Sequence, residues 1–439
     1  MRKIISVIIT LILAVCMFSA CSGSGAKTTH AVIPNESYGG TVKQFLEGNG
    51  FSNWMDARRE YMSASRELQP EVIPFYADIM QAVLSEKEEN TVCSPINIYI
   101  ALAMLAETSS GETRQQILDV LGTSDIDTLR KNADNIWRAN YSDNPLIKCR
   151  LANSLWLRDD LSYNEKLFKT LAEKHHADMF VGKFGSDSMN KQLAKWTDDH
   201  TGGLLKEYTK DMKLDDTGIL ELVSAIYFKG TWIEPFMKEA TKEQTFHGAS
   251  GDLQCEMMNQ GGPGKYYWGD DFSAIFMNIN YGGGMFFFLP DEGTDLKELC
   301  TDPQVLDVIK HVYDQNYENT KYLIINKKIP KFSVSSKTDL KRSLNTLGIT
   351  DAFEPGKADF TSLVEDFTDS IWLDKADHAA MVEIDEEGVT GAAYTDLALA
   401  GGAMPPSEEI DFVLDRPFMY AVIGGDGTLL FAGTVYDIS

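Results

Sequence analysis

Apolar residues recur at helical spacing in some segments of the chain and form short continuous runs in others. The segments "VIPFYADIMQAVL" and "SPINIYIALAMLAETSSGETRQQILDVLG" predict three helices. Ser94 is suited to cap the second of these helices, Pro95 to its first turn, and Gly122 to the end of the third. The runs "RLANSLWLRD", "ILELVSAIYFKGTW" and "MFFFLP" instead predict buried strands.

Other segments of the chain continue this mixture. "NEKLFKTLAEKHH", "NKQLAKWTDDHTGG" and "TDLKRSLNTLGI" predict further helices, the last two ended by glycine. "FMYAVIGGDGTLLFAGTVYD" predicts two strands joined into a hairpin by residues 424–427. Because no linker, repeat or charge block divides residues 70–439, we expect one mixed α/β domain there.

The N-terminus has the pattern of a targeting segment. A basic pair precedes the run 4–18, which is short for a membrane-spanning helix, and small residues precede Cys21. This resembles a bacterial lipoprotein signal, in which residues 1–20 are removed and Cys21 is lipidated. An ordinary secretory signal cut elsewhere is the alternative. Residues 21–69 then form a tether and a polar extension with one short helix around "MDARREYMSASREL". We expect an exported protein, anchored at the cell surface or in the periplasm.

Charge and cysteine content narrow the possible partners. The chain has 65 acidic and 40 basic residues, a net charge of −25, which makes nucleic acid and anionic lipid surfaces poor partners. Four cysteines remain outside the first 21 residues, without any C-x-x-C pair. We expect Cys93, Cys149, Cys255 and Cys300 to be mostly buried free thiols. We also expect a monomer without a metal or cofactor.

The sequence shows no catalytic constellation. It has no G-x-S-x-G and no H-E-x-x-H motif. "GGPGKYY" at 261–267 lacks the elements of a phosphate loop and is interpreted as a surface turn. His175 and His176 are adjacent, so their side chains diverge and cannot share a metal without other ligands. Glu386 and Glu387 precede a glycine-rich segment that has no pocket signature. We therefore do not expect an enzyme.

One long segment is neither typical core nor typical surface. From Gly388 to Pro406 the chain holds one charge, Asp396, and one aromatic residue, Tyr394. Both fall on the same strand face, whereas the other face carries small and apolar residues: Val389, Gly391, Ala393, Thr395, Leu397, Leu399 and Gly401. No proline interrupts the segment before Pro405. It is therefore suited to become a central strand of a sheet.

Several separated motifs resemble one protein family. These are "NTVCSPINIYIALAMLAETSSGETRQQI", "LELVSAIYFKGTW", "KIPKFSVSSKTDLKRSLNTLGITDAFEPGKADFTSL", "DHAAMVEIDEEG" and "DRPFMYAVIGGDGTLLFAGTV". In this order they resemble the serpins, over about residues 70–439. The resemblance implies a mixed α+β fold with three β-sheets, eight to nine helices and an exposed C-terminal reactive loop. It also implies inhibition of a serine protease: the loop is cleaved, an acyl-enzyme forms, and the freed loop inserts into the main sheet.

The resemblance assigns roles to individual residues. It places the scissile bond at Gly402–Ala403, with Leu399 or Met404 as alternative specificity residues. It implies a sheet-opening cluster of Ser94, Ser224 and His378, with Trp232 near the top of the sheet. The implied hinge of the loop comprises Glu386, Glu387, Gly388, Val389, Thr390, Gly391, Ala392 and Ala393. Three positions depart from the family pattern: Ser224 replaces the usual Asn, and Val389 and Gly391 replace the usual Thr and Ala.

The composition of the loop indicates the target class. No Lys or Arg occurs between Lys375 and Arg416, so a trypsin-like pocket with a buried Asp has no residue to pair with. Small and apolar residues favour elastase-like or subtilisin-like serine proteases, held in a covalent complex. A non-inhibitory serpin lipoprotein and a cysteine-protease inhibitor that uses the same loop are the alternatives.

Overall fold

The computed structural model describes residues 27–34, 38, 40–203, 206–314, 317–364, 371–389 and 406–438. The predicted signal, Cys21 and residues 390–405 lie outside this part of the chain. Within the described ranges, no helix has both the length and the apolarity to cross a membrane.

The described residues contain eleven α-helical segments, eight of them seven residues or longer. The helices are α1 (Val42–Glu47), α2 (Gly50–Leu84), α3 (Pro95–Thr108), α4 (Gly111–Val120), α5 (Ile126–Asn140), α6 (Glu165–Lys174), α7 (Asp187–His200), α8 (Lys206–Thr209), α9 (Leu296–Leu299), α10 (Pro303–Lys310) and α11 (Lys341–Leu347). The strands are β1 (Lys27–Thr29), β2 (Thr91–Cys93), β3 (Ser142–Asp143), β4 (Lys148–Arg158), β5 (Ala177–Gly182), β6 (Leu220–Thr231), β7 (Lys242–Gly248), β8 (Gly251–Trp268), β9 (Phe272–Ile279), β10 (Gly283–Pro290), β11 (Thr320–Pro330), β12 (Phe332–Asp339), β13 (Leu373–Ile384), β14 (Gly388–Val389), β15 (Glu409–Val413), β16 (Phe418–Ile423) and β17 (Leu429–Val435).

The strands form two hydrogen-bonded sheets in the described residues. The main sheet has eight strands in the order β1-β5-β4-β6-β14-β13-β12, with β3 beside β4. The second sheet has nine, in the order β15-β11-β8-β9-β10-β16-β17-β2, with β7 beside β8. The mixed α+β class is confirmed, but the expected third sheet is not separate. The long strand β8 pairs with β7, β11 and β9, and so joins two groups of strands into one sheet.

Helix α3 lies in the core between the two sheets. Every one of its residues is buried, and it packs against β4 and β6 of the main sheet and β17 of the second. The hydroxyl of Ser94 accepts a hydrogen bond from the Asn97 backbone N–H, and Pro95 occupies the first turn, as predicted. The predicted hairpin is confirmed as the pair β16–β17. All four described cysteines are buried free thiols, as expected.

The N-terminal part differs most from the sequence-based expectation. Helix α2 runs without interruption across residue 70, the start of the domain expected from the sequence, and it includes the helix predicted around "MDARREYMSASREL". Polar residues of α2 are buried with partners from elsewhere in the domain. The guanidinium of Arg58 donates to the Ala139 carbonyl at 3.1 Å, and the Ser65 hydroxyl donates to Asp426 at 2.5 Å. A helix that buries polar residues in this way has no clear apolar stripe in its sequence.

Two further interpretations are resolved by the structure. Residues 261–267 lie within β8 and pair with β11, so the predicted surface turn is wrong. Glycine and proline are unusual within strands, so the sequence did not predict one here. The strand is stabilised by hydrogen bonds to β11, which is distant in the sequence. The divergence of the two neighbouring histidines is confirmed: Nε2 of His175 is 3.2 Å from Glu107, and Nε2 of His176 is 2.9 Å from Asp134.

Candidate functional site

The start of the predicted hinge already lies inside the main sheet. Strands β6 and β13 pair in parallel from Leu220 and Leu373 up to Ala225 and Ala379. Beyond this point β14 lies between them and pairs antiparallel with both, Val389 facing Ile384 on one side and Gly230 on the other. The border between β6 and β13, called the seam below, is therefore closed along one part and occupied by two hinge residues at its end.

Gly388 is required there by close approach to a neighbouring strand. A Cβ at this position would lie 2.1 Å from the Gly230 carbonyl oxygen and 2.7 Å from the Thr231 Cα. Both are backbone atoms of β6, which cannot move aside without disturbing the sheet. A glycine at a hinge is usually explained by its conformational freedom. The structure supplies a steric reason instead.

The two acidic hinge residues are held by cations and a hydroxyl. Glu386 is buried, and its Oε1 lies 2.9 Å from Lys331 Nζ and 2.8 Å from the Thr241 hydroxyl, which donates to it. Burial opposes the charge of Glu386, but these hydrogen bonds outweigh that effect and lower its pKa below the ordinary range. Glu387 pairs at the surface with Lys238, at 2.9 Å.

Trp232 belongs to the hinge and not to the histidine cluster. Its indole N–H donates to the Asp385 carbonyl at 3.1 Å, and its backbone N–H donates to the Glu387 carbonyl at 3.0 Å. It follows β6 eight residues after Ser224, a separation of roughly 26 Å along an extended strand. Trp232 therefore lies just beyond the end of β6, where its two hydrogen bonds hold the turn that leads into β14.

The three other predicted cluster residues meet beneath the seam. His378 and Ser224 are direct neighbours across the β6–β13 pair. The Ser94 backbone N–H donates to His378 Nε2 at 2.9 Å, so Nδ1 carries the proton and donates to the Ser224 hydroxyl at 3.2 Å. The shorter serine side chain thus reaches the imidazole directly. Because His378 is fully buried, desolvation lowers its pKa to about 3, and the ring is neutral at pH 7.

Two residues that sequence reasoning missed complete this cluster. The Asn97 side-chain amide donates to the Ser224 hydroxyl and to the Ala225 carbonyl, both at 2.8 Å. Asn153 donates to the Asn97 amide oxygen at 3.2 Å. A buried asparagine within the apolar run of α3 is the signal that could have identified Asn97, since a buried polar side chain needs partners. Lys331, the partner of Glu386, lies in one of the motifs that resemble the serpins, but no role was predicted for it from the sequence.

Other predicted site residues lie outside the described part of the chain. These are the rest of the hinge (Thr390, Gly391, Ala392, Ala393), the residues around the expected scissile bond (Leu399, Gly402, Ala403, Met404) and the lipidation site (Cys21).

Acidification should weaken the fold through His378. Its unfolded pKa is about 6.5 and its folded pKa about 3, so between these values the unfolded chain binds a proton that the folded chain does not. The contribution of neutral His378 to the free energy of unfolding is complete above pH ~6.5. Below this pH it falls by up to about 1.4 kcal/mol per pH unit. Urea unfolding at pH 7, 6 and 5 should show this decline. In a His378→Asn variant the decline should be smaller, and equal slopes in both proteins would contradict the assignment.

The fold and the seam define a class of protein: a mixed α+β domain whose main sheet admits a strand from the segment that follows β13. The sequence model described as Serpin (serine protease inhibitor) matches residues 72–438. The chain therefore belongs to the serpin family. It is similar to Serine proteinase inhibitor A3K of Cavia porcellus, with 30% identity over 384 residues, covering 84% of this chain and 89% of that protein.

Solved structures support the same fold. The native state of tengpin, a thermophilic serpin, matches with a TM-score of 0.74 and 24% identity, over 84% of this chain and 93% of tengpin. Thyroxine-binding globulin in complex with thyroxine matches with a TM-score of 0.70 and 21% identity, over 86% of this chain and 99% of that protein. At these identities the likeness concerns the fold alone.

Proposed function

We propose that this protein is a suicide inhibitor of serine proteases of the elastase or subtilisin type. The protease serine attacks a carbonyl near Gly402, the peptide bond breaks, and the new amine takes the proton from the catalytic base. The N-terminal part of the loop remains attached to the protease as an acyl ester. It then inserts along the seam and carries the protease with it before water can hydrolyse the ester.

The observation that carries this proposal is the placement of β14. It lies between β6 and β13, antiparallel to both, and Val389 is fully buried. Continuing its register by four residues puts Ala393 beside Ala380 and Ile226, which are also buried. The loop sequence therefore fits the next positions of a strand that the sheet has begun to accept.

The same register gives the buried histidine a role in insertion. Six residues beyond Val389, Thr395 would stand between His378 and Ser224, on the face that points into the core. Insertion would break the hydrogen bond from His378 Nδ1 to the Ser224 hydroxyl. The Thr395 hydroxyl would be placed to accept in its stead. The cluster would thus oppose separation of β6 and β13 before cleavage. After insertion its hydrogen-bonding groups would again have partners.

The proposal extends to location and partner. A lipid on Cys21 would hold the inhibitor at a bacterial membrane, where it would meet exported or external proteases. The partner would be a protease with a small, apolar specificity pocket, because the loop offers no cation to a trypsin-like enzyme.

Mixing the protein with an equimolar amount of pancreatic elastase should give an SDS-stable complex with the summed mass of protease and cleaved inhibitor. The ester survives denaturation because the trapped acyl-enzyme is covalent. Elastase treated with phenylmethylsulfonyl fluoride is the control and should give no complex, since its serine is blocked. Subtilisin and papain, tested in parallel, separate serine-protease from cysteine-protease inhibition. Clean cleavage by every protease without a complex would contradict the proposal and favour a non-inhibitory serpin.

A further inference from the structure

A cavity lies at a fork in the second sheet. Among the described residues, β8 pairs with β9 only over Tyr266–Trp268. Away from this short pairing the two strands separate: β8 stays paired with β11, and β9 stays paired with β10. The gap between the diverging strands encloses a cavity of about 530 Å³. This volume falls within the range of small-molecule sites in proteins, which is about 300–1,000 Å³. Two of its lining residues, Ile233 and Glu234, directly follow Trp232, so the cavity adjoins the hinge.

A buried lysine lines this cavity. Lys327 occupies the core-facing side of β11 between Ile325 and Ile329, and its exposed fraction is 8%. Among the residues that the structure describes, none forms a hydrogen bond or an ion pair with its ammonium group. Burial lowers the pKa of Lys327, an effect that the charge of the exposed Glu234 partly offsets. The ammonium group lines the cavity, where water or a ligand can supply the acceptor that the described residues do not.

An unpaired acceptor lies on the neighbouring strand. Gln260 is directly opposite Lys327 in the β8–β11 pair and lines the same cavity. Its amide nitrogen donates to the Pro235 carbonyl at 3.1 Å and faces the Glu234 carbonyl at 3.4 Å. Its Oε1 atom is buried and has no partner in the described residues. These nitrogen contacts fix the amide orientation and leave the oxygen available to a donor.

The remaining walls are mixed: Glu234, Lys265 and Asn278 contribute polar groups, and the other side chains are mostly apolar. Phe276, Met277 and Val312 line the cavity, and two exposed side chains, Ile233 and Tyr322, line it where it meets solvent. The exposed fractions of Ile233 and Tyr322 are 52% and 59%, so large apolar side chains are exposed to solvent at the opening of the cavity. The apolar part of these walls favours a ligand with an apolar body over a small inorganic anion.

We propose that this cavity binds a small amphipathic carboxylate. Its carboxylate would accept a hydrogen bond from Lys327 Nζ, and its apolar body would lie against the walls near Ile233 and Tyr322. A hydroxyl or amide N–H next to the carboxylate would donate to Gln260 Oε1. Charge-assisted hydrogen bonds of this kind are among the stronger polar contacts in proteins, and the low polarity around Lys327 strengthens this one further.

Calorimetric titration with decanoate, 2-hydroxydecanoate and decanol tests the proposal. Wild-type protein should bind decanoate at one site, bind 2-hydroxydecanoate more tightly, and bind decanol at least tenfold more weakly than decanoate. Lys327→Met keeps the length of the side chain and removes its charge. It should weaken decanoate binding at least tenfold and abolish the preference for decanoate over decanol.

Lys328→Met is the matched control, because Lys328 is the next residue of β11 and its side chain points to the opposite face of the strand. This variant should bind decanoate like the wild type. Folding of Lys327→Met is checked by its melting temperature, which should not fall, since the change removes a buried unpaired charge. Absence of saturable decanoate binding to wild type, or equal binding by Lys327→Met, would overturn the proposal. Neither result bears on inhibition, which the elastase assay measures separately.

Discussion

Ala393→Glu should convert the protein from an inhibitor into a substrate. In the register set by Val389, residue 393 would stand between Ala380 and Ile226, whose side chains are fully buried. A carboxylate there would lose its hydration without gaining a partner, which opposes insertion by several kcal/mol, on the order of 3 or more. Deacylation would then outpace insertion. Densitometry of SDS gels should show at least a tenfold lower yield of the elastase complex, with cleaved protein in its place.

Ala392→Glu is the matched control for this change. It introduces the same side chain one position earlier, where strand alternation places it opposite Tyr227 and Met381 on the partly exposed face. Both residues lie far from the expected scissile bond, so protease recognition should be affected equally. Ala392→Glu should keep most of the complex. An equal loss in the two variants would show that the inserted strand does not follow this register.

Cleavage of the loop should raise the melting temperature by more than ten degrees. Insertion of residues 390–402 would give both β6 and β13 a new hydrogen-bonded neighbour along the seam, and each backbone hydrogen bond contributes roughly 1 kcal/mol net. For a domain of about 370 residues, about 1 kcal/mol corresponds to roughly 1 °C, so a rise of this size needs more than ten such bonds. The measurement is differential scanning calorimetry before and after treatment with a catalytic amount of elastase, which is then inhibited and removed.

The control for this experiment is cleaved Ala393→Glu, in which the loop is cut but insertion is opposed. Its melting temperature should rise much less than that of cleaved wild type. An unchanged melting temperature in cleaved wild type would indicate a loop that stays outside the sheet, and with it a non-inhibitory protein.

Local patterns predicted the parts of the fold that local interactions stabilise. The cap at Ser94 and the hairpin β16–β17 are examples, because each depends on residues only a few positions apart. The full length of α2 and the strand at 261–267 were missed for the opposite reason. Helix α2 contains Pro70 and Pro74 and buries polar side chains, and β8 contains glycines and a proline; both are stabilised by contacts with distant segments.

The residues of the candidate site were likewise predicted only in part. The family resemblance identified His378, Ser224 and Ser94, which the structure brings together. It did not provide Asn97, whose amide binds Ser224 across the interface between helix and sheet, because that contact depends on three-dimensional packing. The steric role of Gly388 likewise depends on the position of β6, which no sequence pattern near residue 388 contains.

The first strand has a consequence for how copies of this protein behave in solution. Strand β1 pairs with β5 and forms one edge of the main sheet. An uncovered edge offers unpaired N–H and C=O groups to any other extended chain, including the loop of a second copy. The three residues of β1 form hydrogen bonds with the backbone groups of β5 that would otherwise be unpaired. The first of them, Lys27, forms an ion pair with Glu165. Because this edge strand is short and carries a lysine, we expect it to disfavour pairing of the sheet with a second copy.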